Sequence, residues 1–239
     1  MVYLIIATRN AHKVQEIRSI LGESYQYLTL LDWPQAPLIV EDGETFAANA
    51  QKKALTLATW IARSRPSVLS TRLPIHGLDD AGFVFADDSG LEVDNLNGAP
   101  GIHSARFAAL DNDASVNAPD TANNAKLLRL LKSVPLEQRT ARFRCVIALA
   151  PIEISHVQRG ETGAISHALT ATVSLFEGVC EGRIGECPLG QGGFGYDPLF
   201  IPQGYSQTLA ELGPEVKNQI SHRARALAQL AKYLQIHKL

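Results

Sequence analysis

The sequence predicts an α/β fold of the mixed α+β kind, read from three observations. Residues 2–7 (VYLIIA) form a nearly continuous apolar run with β-branched members, as in a strand buried on both faces. A helical pattern follows at once, and helical and strand-like segments then interleave along the chain, which argues against a bundle or a sandwich. No internal repeat or low-complexity tract interrupts the chain, and 239 residues, against about 100–200 per domain, fit one domain over residues 1–239.

Each element has its own signal. Polar Thr8-Arg9-Asn10 opens a helix with Val14, Ile17, Ile20 and Leu21 on one face, and Gly22 stops it. A second helix over residues 45–63 carries Phe46, Ala50, Leu57 and Ile61 as its apolar stripe. Strands are expected over residues 82–86, 91–93, 143–150 and 170–176, the alternation in the last marking one wetter face. Residues 123–131 and 221–234 read as helices, the latter with Leu227, Leu230, Ala231 and Leu234 as a stripe. Residues 64–78, with Pro66 and Pro74, and 153–167, with Gly160 and Gly163, read as surface excursions.

Composition removes several function classes. An apolar fraction of 46% with 19% charged residues is that of a globular protein, not a disordered or fibrous one. The net charge of −2 supplies no bulk field for a nucleic-acid polymer, and no run approaches the ~20 apolar residues of a membrane span. Three cysteines without CxxC spacing argue against a disulfide framework or structural zinc and point to a reducing cytoplasm.

Several clusters carry candidate chemistry. Thr8, Arg9, Asn10, Ala11, His12 and Lys13 lie at a strand-to-helix turn, where free N–H groups and two cations would trap phosphate oxygens; alternatively Thr8 or Asn10 merely caps the helix. Glu41 to Glu44 precede the second helix, in which Asn49 and Lys53 share a face, so that Lys53 either reaches inward to an anion or snorkels outward. Asp87-Asp88 is placed at a strand end before a Ser89-Gly90 turn; two adjacent carboxylates are costly unless a cation such as Mg²⁺ or hydrogen-bond donors compensate, and the alternative is an Asx-type turn using Asp88 and Ser89. Asp79-Asp80, in an excursion, is treated as a decoy, and His103 is assigned no role. The turn through residues 97–101 should deliver Ser104 and Arg106 near the acidic pair. Phe194, Gly195, Tyr196 and Asp197 belong to a glycine-rich loop whose aromatic rings suit base stacking. Ser221 is a plausible N-cap, and the pair His222-Arg223 opposes the dipole of the last helix, so that a compensating anion or acceptor is expected there.

The ordered series ATRNAHK, ETFAANAQKKA, DDSGLEVDNLNGAPGIHSARFA, GFGYDPLF and AELGPEVKNQISHRARAL resembles the inosine triphosphate pyrophosphatase family, from the first strand to the last helix. That resemblance implies an elongated central mixed sheet with flanking helices, two lobes around a nucleotide cleft, a homodimer and a Mg²⁺ cofactor. It implies hydrolysis of the small-molecule nucleotides ITP, dITP or XTP to the monophosphate and pyrophosphate. Carried onto this sequence, Thr8 to Lys13 and Lys53 hold phosphates, and Asp88 binds metal and accepts the proton, supported by Asp87. Glu41 is the second metal ligand with Glu44 in reserve, and Ser89 contacts substrate. Phe194 to Asp197 form the base and sugar pocket, closed by Lys217, His222 and Arg223. Arg9 and His12 depart from members that carry glycine there. A nucleotide sensor is the competing reading; it would need the loop and pocket but not both Glu41 and the aspartate pair.

Overall fold

The computed structural model describes residues 3–69, 82–112, 116–152 and 172–237. Its elements run β1 (Tyr3–Ile6), α1 (Ala11–Leu21), β2 (Gln26–Thr29), α2 (Phe46–Leu69), β3 (Gly82–Val93), α3 (Asp120–Leu130), β4 (Thr140–Pro151), β5 (Ser174–Ile184), β6 (Phe200–Pro202), α4 (Leu209–Ile220) and α5 (His222–Ile236), with short 3₁₀ turns between β3 and α3. The six-stranded sheet has the order β2-β1-β3-β4-β5-β6. β1 is parallel to both β2 and β3, and the remaining pairs are antiparallel, so the predicted mixed sheet is realised.

Two apolar layers cover the sheet. On one face α2 packs Phe46, Ala50, Leu57 and Ile61 against Val84, Ala86, Val146 and Ala148. On the other, Val14 and Ile17 of α1 and Leu227, Leu230 and Leu234 of α5 meet Leu4, Ile6, Phe85 and Ile147. These are the helical stripes expected from the sequence. A third cluster, with Leu127, Phe143, Tyr196, Leu199 and Leu209, fills the far end of the sheet. Gly178 lets α5 approach β5, since a Cβ there would strike the His222 carbonyl and the Ala226 nitrogen.

Three expectations are corrected. The segments 82–86 and 91–93 are one twelve-residue strand, so Ser89-Gly90 is extended chain and not a turn. β4 pairs with β3 without interruption from Phe83 to Val93, and Gly90 serves close packing: a Cβ would meet the Gly101 carbonyl and Ser104 Oγ. Secondly, α2 runs on to Leu69, into the expected excursion and through Pro66. Thirdly, the strand expected over 170–176 begins at Ser174 and continues to Ile184. Residues 70–78 and 153–167 of the two excursions lie outside the described residues, as do Asp79 and Asp80.

Candidate active site

The site forms where β1 stops and β3 continues. The β1–β3 ladder ends at Ile6 opposite Phe85, so the next residues of β3 have a sheet neighbour on the β4 side only. Into this gap come the α1 entry, the start of α2 and the 194–197 loop.

Successive strand residues point to opposite faces, and this separates the aspartate pair. Asp88 faces α2, where Asn49 Nδ2 donates to its Oδ2 at 3.0 Å and Lys53 Nζ lies 3.4 Å from Oδ1. Asp87 faces α1 and α5, where Lys13 and Arg223 each approach its Oδ2 at 3.0 Å. The expectation of two like charges sharing one site is therefore overturned; each carboxylate has its own cations. Burial alone would raise Asp87, but Lys13, Arg223 and Lys53 hold it far below the usual carboxylate range. Asp88 behaves oppositely. Burial, reinforced by the charge of Glu41 and opposed by Lys53, pushes it up to about 6.

The partner of Asp88 is Glu41. Lys53 Nζ bridges the two, 3.0 Å from Glu41 Oε2, and also donates to the Asp87 carbonyl at 2.7 Å. Against burial, Lys53 and a hydrogen bond with Asp88 keep Glu41 below its usual range. Glu44 is exposed, and no ion pair of it is found among the described residues. Asn49, which shares a helix face with Lys53, also accepts from Gly43 N at 2.8 Å, tying the acidic loop to Asp88. Arg106 Nη2 reaches the Glu41 carbonyl at 3.4 Å, and Ser104 Oγ accepts from Leu91 N at 2.9 Å, so both residues arrive beside the acidic strand as expected.

Two carboxylates with hard oxygen donors fit Mg²⁺, which takes one or two such ligands and completes its shell with water and phosphate. The ammonium already seated between them shows that the gap accepts a cation. Among the described residues no group of three or more His, Cys, Asp or Glu converges.

The phosphate-loop candidates divide. Asn10 caps α1, its side chain accepting from His12 N at 2.9 Å and Lys13 N at 3.2 Å, and Thr8 Oγ1 accepts from Asn10 N. Asn10 is thus the cap, but Lys13 points inward to Asp87 and is not a solvated surface charge; Thr8 is half-buried and Asn10 and Ala11 are exposed. Arg9 Nη2 donates to the Ala36 carbonyl at 3.1 Å. His12 stacks on Phe194 with ring centroids 5.6 Å apart.

The base-pocket candidates prove largely buried. Tyr196 donates its hydroxyl to the Ser104 carbonyl at 2.9 Å, and Asp197 accepts from Phe194 N at 2.9 Å, so both brace the loop. Lys217 Nζ lies 4.5 Å from the Phe194 ring centroid. Arg223, only 1% exposed, is ion-paired to Asp87 and Glu16 and takes Ser89 Oγ at 2.9 Å. His222 stacks on Phe143 at 4.7 Å, and burial, with Arg223 and Lys217 nearby, drives its pKa well below the usual value, so the ring is neutral.

Sequence reasoning missed Glu16. Its carboxylate sits 2.6 Å from both Lys217 Nζ and Arg223 Nη1, which supplies the counter-charge expected at the start of α5. The available signal was its i,i+3 spacing from Lys13, which puts both on one face of α1. Asn49 was noticed beside Lys53 but given no role. Asn49→Ala should lower kcat by about 10–100-fold, as loss of a hydrogen bond to a charged group implies, with KM little changed in steady-state assays.

A model of the Ham1 family matches residues 4–233. The dITP/XTP pyrophosphatase of Desulforamulus reducens is 44% identical over 232 residues, covering 97% of this chain and 94% of that protein. Its namesake from Geobacillus kaustophilus is 43% identical over 228 residues, or 95% of this chain and 91% of its own length. Among solved structures, a HAM1 protein from Coxiella burnetii aligns with a TM-score of 0.71 at 33% identity, covering 98% of this chain and 99% of that one. The Staphylococcus aureus Ham1 protein aligns with the same TM-score and coverage at 31% identity.

Proposed function

The chain belongs to the Ham1 family, and from that premise we propose that it hydrolyses non-standard purine nucleoside triphosphates (dITP, XTP and ITP) to the monophosphate and pyrophosphate. The observation that carries the reading is the pairing of buried Asp88 with the partly exposed Glu41 through Lys53, with Asn49 on Asp88.

A carboxylate poised near 6 is a competent general base at neutral pH. Asp88 takes a proton from water as the oxygen attacks the α-phosphorus; the bond from that phosphorus to the bridging oxygen breaks, and pyrophosphate leaves. Asn49 fixes the Asp88 carboxylate, and Lys13 and Lys53 supply positive charge for the leaving group. Mg²⁺ held by Glu41 and Asp88 would supply Lewis-acid polarisation of the phosphate oxygens. Phe194, stacked on His12 with Lys217 over its ring, would take the base by exchanging its contact with the exposed His12 for it. A reducing cytoplasm is the compartment and a homodimer the assembly we expect.

Incubation with dITP and Mg²⁺ in H₂¹⁸O tests the reading. Release of pyrophosphate, with the heavy oxygen in dIMP, is the expected result. Orthophosphate release would mark an ordinary phosphatase, and binding without turnover a sensor. Equal rates on dITP and dATP would contradict selection for a 6-oxo purine.

A further inference from the structure

Lys53 occupies an unusual position for a residue expected to hold phosphate. Its ammonium is surrounded by protein oxygens: the Asp87 carbonyl at 2.7 Å, Glu41 Oε2 at 3.0 Å and Asp88 Oδ1 at 3.4 Å. Its side chain is only 8% exposed. Two of these three oxygens belong to the carboxylates that fit a divalent ion. An ammonium and a divalent ion cannot both lie among the same oxygens, because like charges at that range in a buried site repel strongly. Nor can Lys53 reach a phosphate while it keeps all three contacts. The Asp87 carbonyl, left by the end of β1 without a partner on that side, holds the lysine stem in place while the head group faces the pair.

We propose that Lys53 is a resident counter-ion: its ammonium fills the cation position between Glu41 and Asp88 in the free protein and yields it when a polyphosphate offers the lysine another anion. Metal and polyphosphate then bind synergistically, since each vacates or neutralises what hinders the other. The inference rests on the functional reading above for its choice of metal and ligand, but it is testable without turnover.

The experiment is titration of the nucleotide-free protein with Mn²⁺, followed by electron paramagnetic resonance, for wild type, Lys53→Met and Lys53→Arg. Lys53→Met should bind Mn²⁺ at least about tenfold more tightly than wild type, because the competing charge is gone, and Lys53→Arg should not gain. A merely structural lysine predicts the opposite, since its loss would loosen the carboxylates and weaken binding. Unchanged or weaker binding by Lys53→Met overturns the proposal. Should that variant not fold, as judged by circular dichroism, a wild-type measurement decides: inorganic pyrophosphate should tighten Mn²⁺ binding to the protein, after correction for the Mn²⁺–pyrophosphate complex, and absence of that synergy is equally fatal. A protein that passes this test yet leaves dITP intact would refute the functional reading alone.

Discussion

Asp88→Asn should lower kcat by about 10³-fold, within the 10²–10⁴ typical of a lost general base. The substitution keeps the shape of the side chain, and its amide oxygen still accepts from Asn49 Nδ2, so the strand and the α2 contact survive. The same change should stabilise the protein at neutral pH. Burial and Glu41 raise the folded-state pKa of Asp88 to about 6, above the unfolded value of about 3.9. Between those values the native state binds more protons than the unfolded chain, so stability falls as pH rises through the window. The ionised carboxylate therefore costs stability above pH 6, on the order of 2 kcal/mol, and the amide removes that cost. The expected result is a variant with a higher melting temperature at pH 7 and almost no pyrophosphate release. Wild-type kcat/KM should fall with acidification as Asp88 is protonated, with no such limb in the residual activity of Asp88→Asn. Near-normal turnover by Asp88→Asn would remove Asp88 from the role of base.

Much of this site was legible because its parts are local. Asn10 as cap, Gly22 as helix stop and the shared face of Asn49 and Lys53 follow from spacings within one or two turns. The misreadings came from contacts distant in sequence. Gly90 has the same letter whether it turns the chain or admits a neighbour, and only the packing of Gly101 and Ser104 against β3 decides between them. Once β3 is unbroken, strand parity sends Asp87 and Asp88 to opposite faces, which no count of adjacent charges reveals. α4 was not marked as a helix; it carries Pro214 inside it and is kinked at Gly213, φ 76°, which interrupts the helical pattern. β2 and β6, four and three residues long, are too short to show a period.

The second large effect concerns Asp87, and it is one of stability. Lys13, Lys217 and Arg223 are matched by Glu16, Asp87 and Asp197 in a connected group spanning α1, β3, the 194–197 loop, α4 and α5. Asp87→Asn removes one negative charge and leaves the group with one positive charge in excess, at Lys13 and Arg223. Deleting one partner of a buried pair typically costs 3–5 kcal/mol, so the melting temperature should drop by about 10 °C for a domain of this size. Arg223→Met alone should be similarly damaging, because Asp87 loses the more buried of its two cations and Glu16 loses one of its own. Combining the two restores the balance, with Glu16 and Asp197 against Lys13 and Lys217, so the double variant should lose clearly less than the sum of the singles. The pH dependence carries the same sign argument. Asp87 is held far below its unfolded pKa, so its contribution is present above about pH 4 and is lost as pH falls toward the folded value. The gap between wild type and Asp87→Asn should accordingly be constant from pH 5 to pH 8, within about 0.5 kcal/mol, and begin to close below pH 4. Additive losses in the double variant, or a gap that persists undiminished at pH 3, would show that Asp87 contributes through packing and not through its charge.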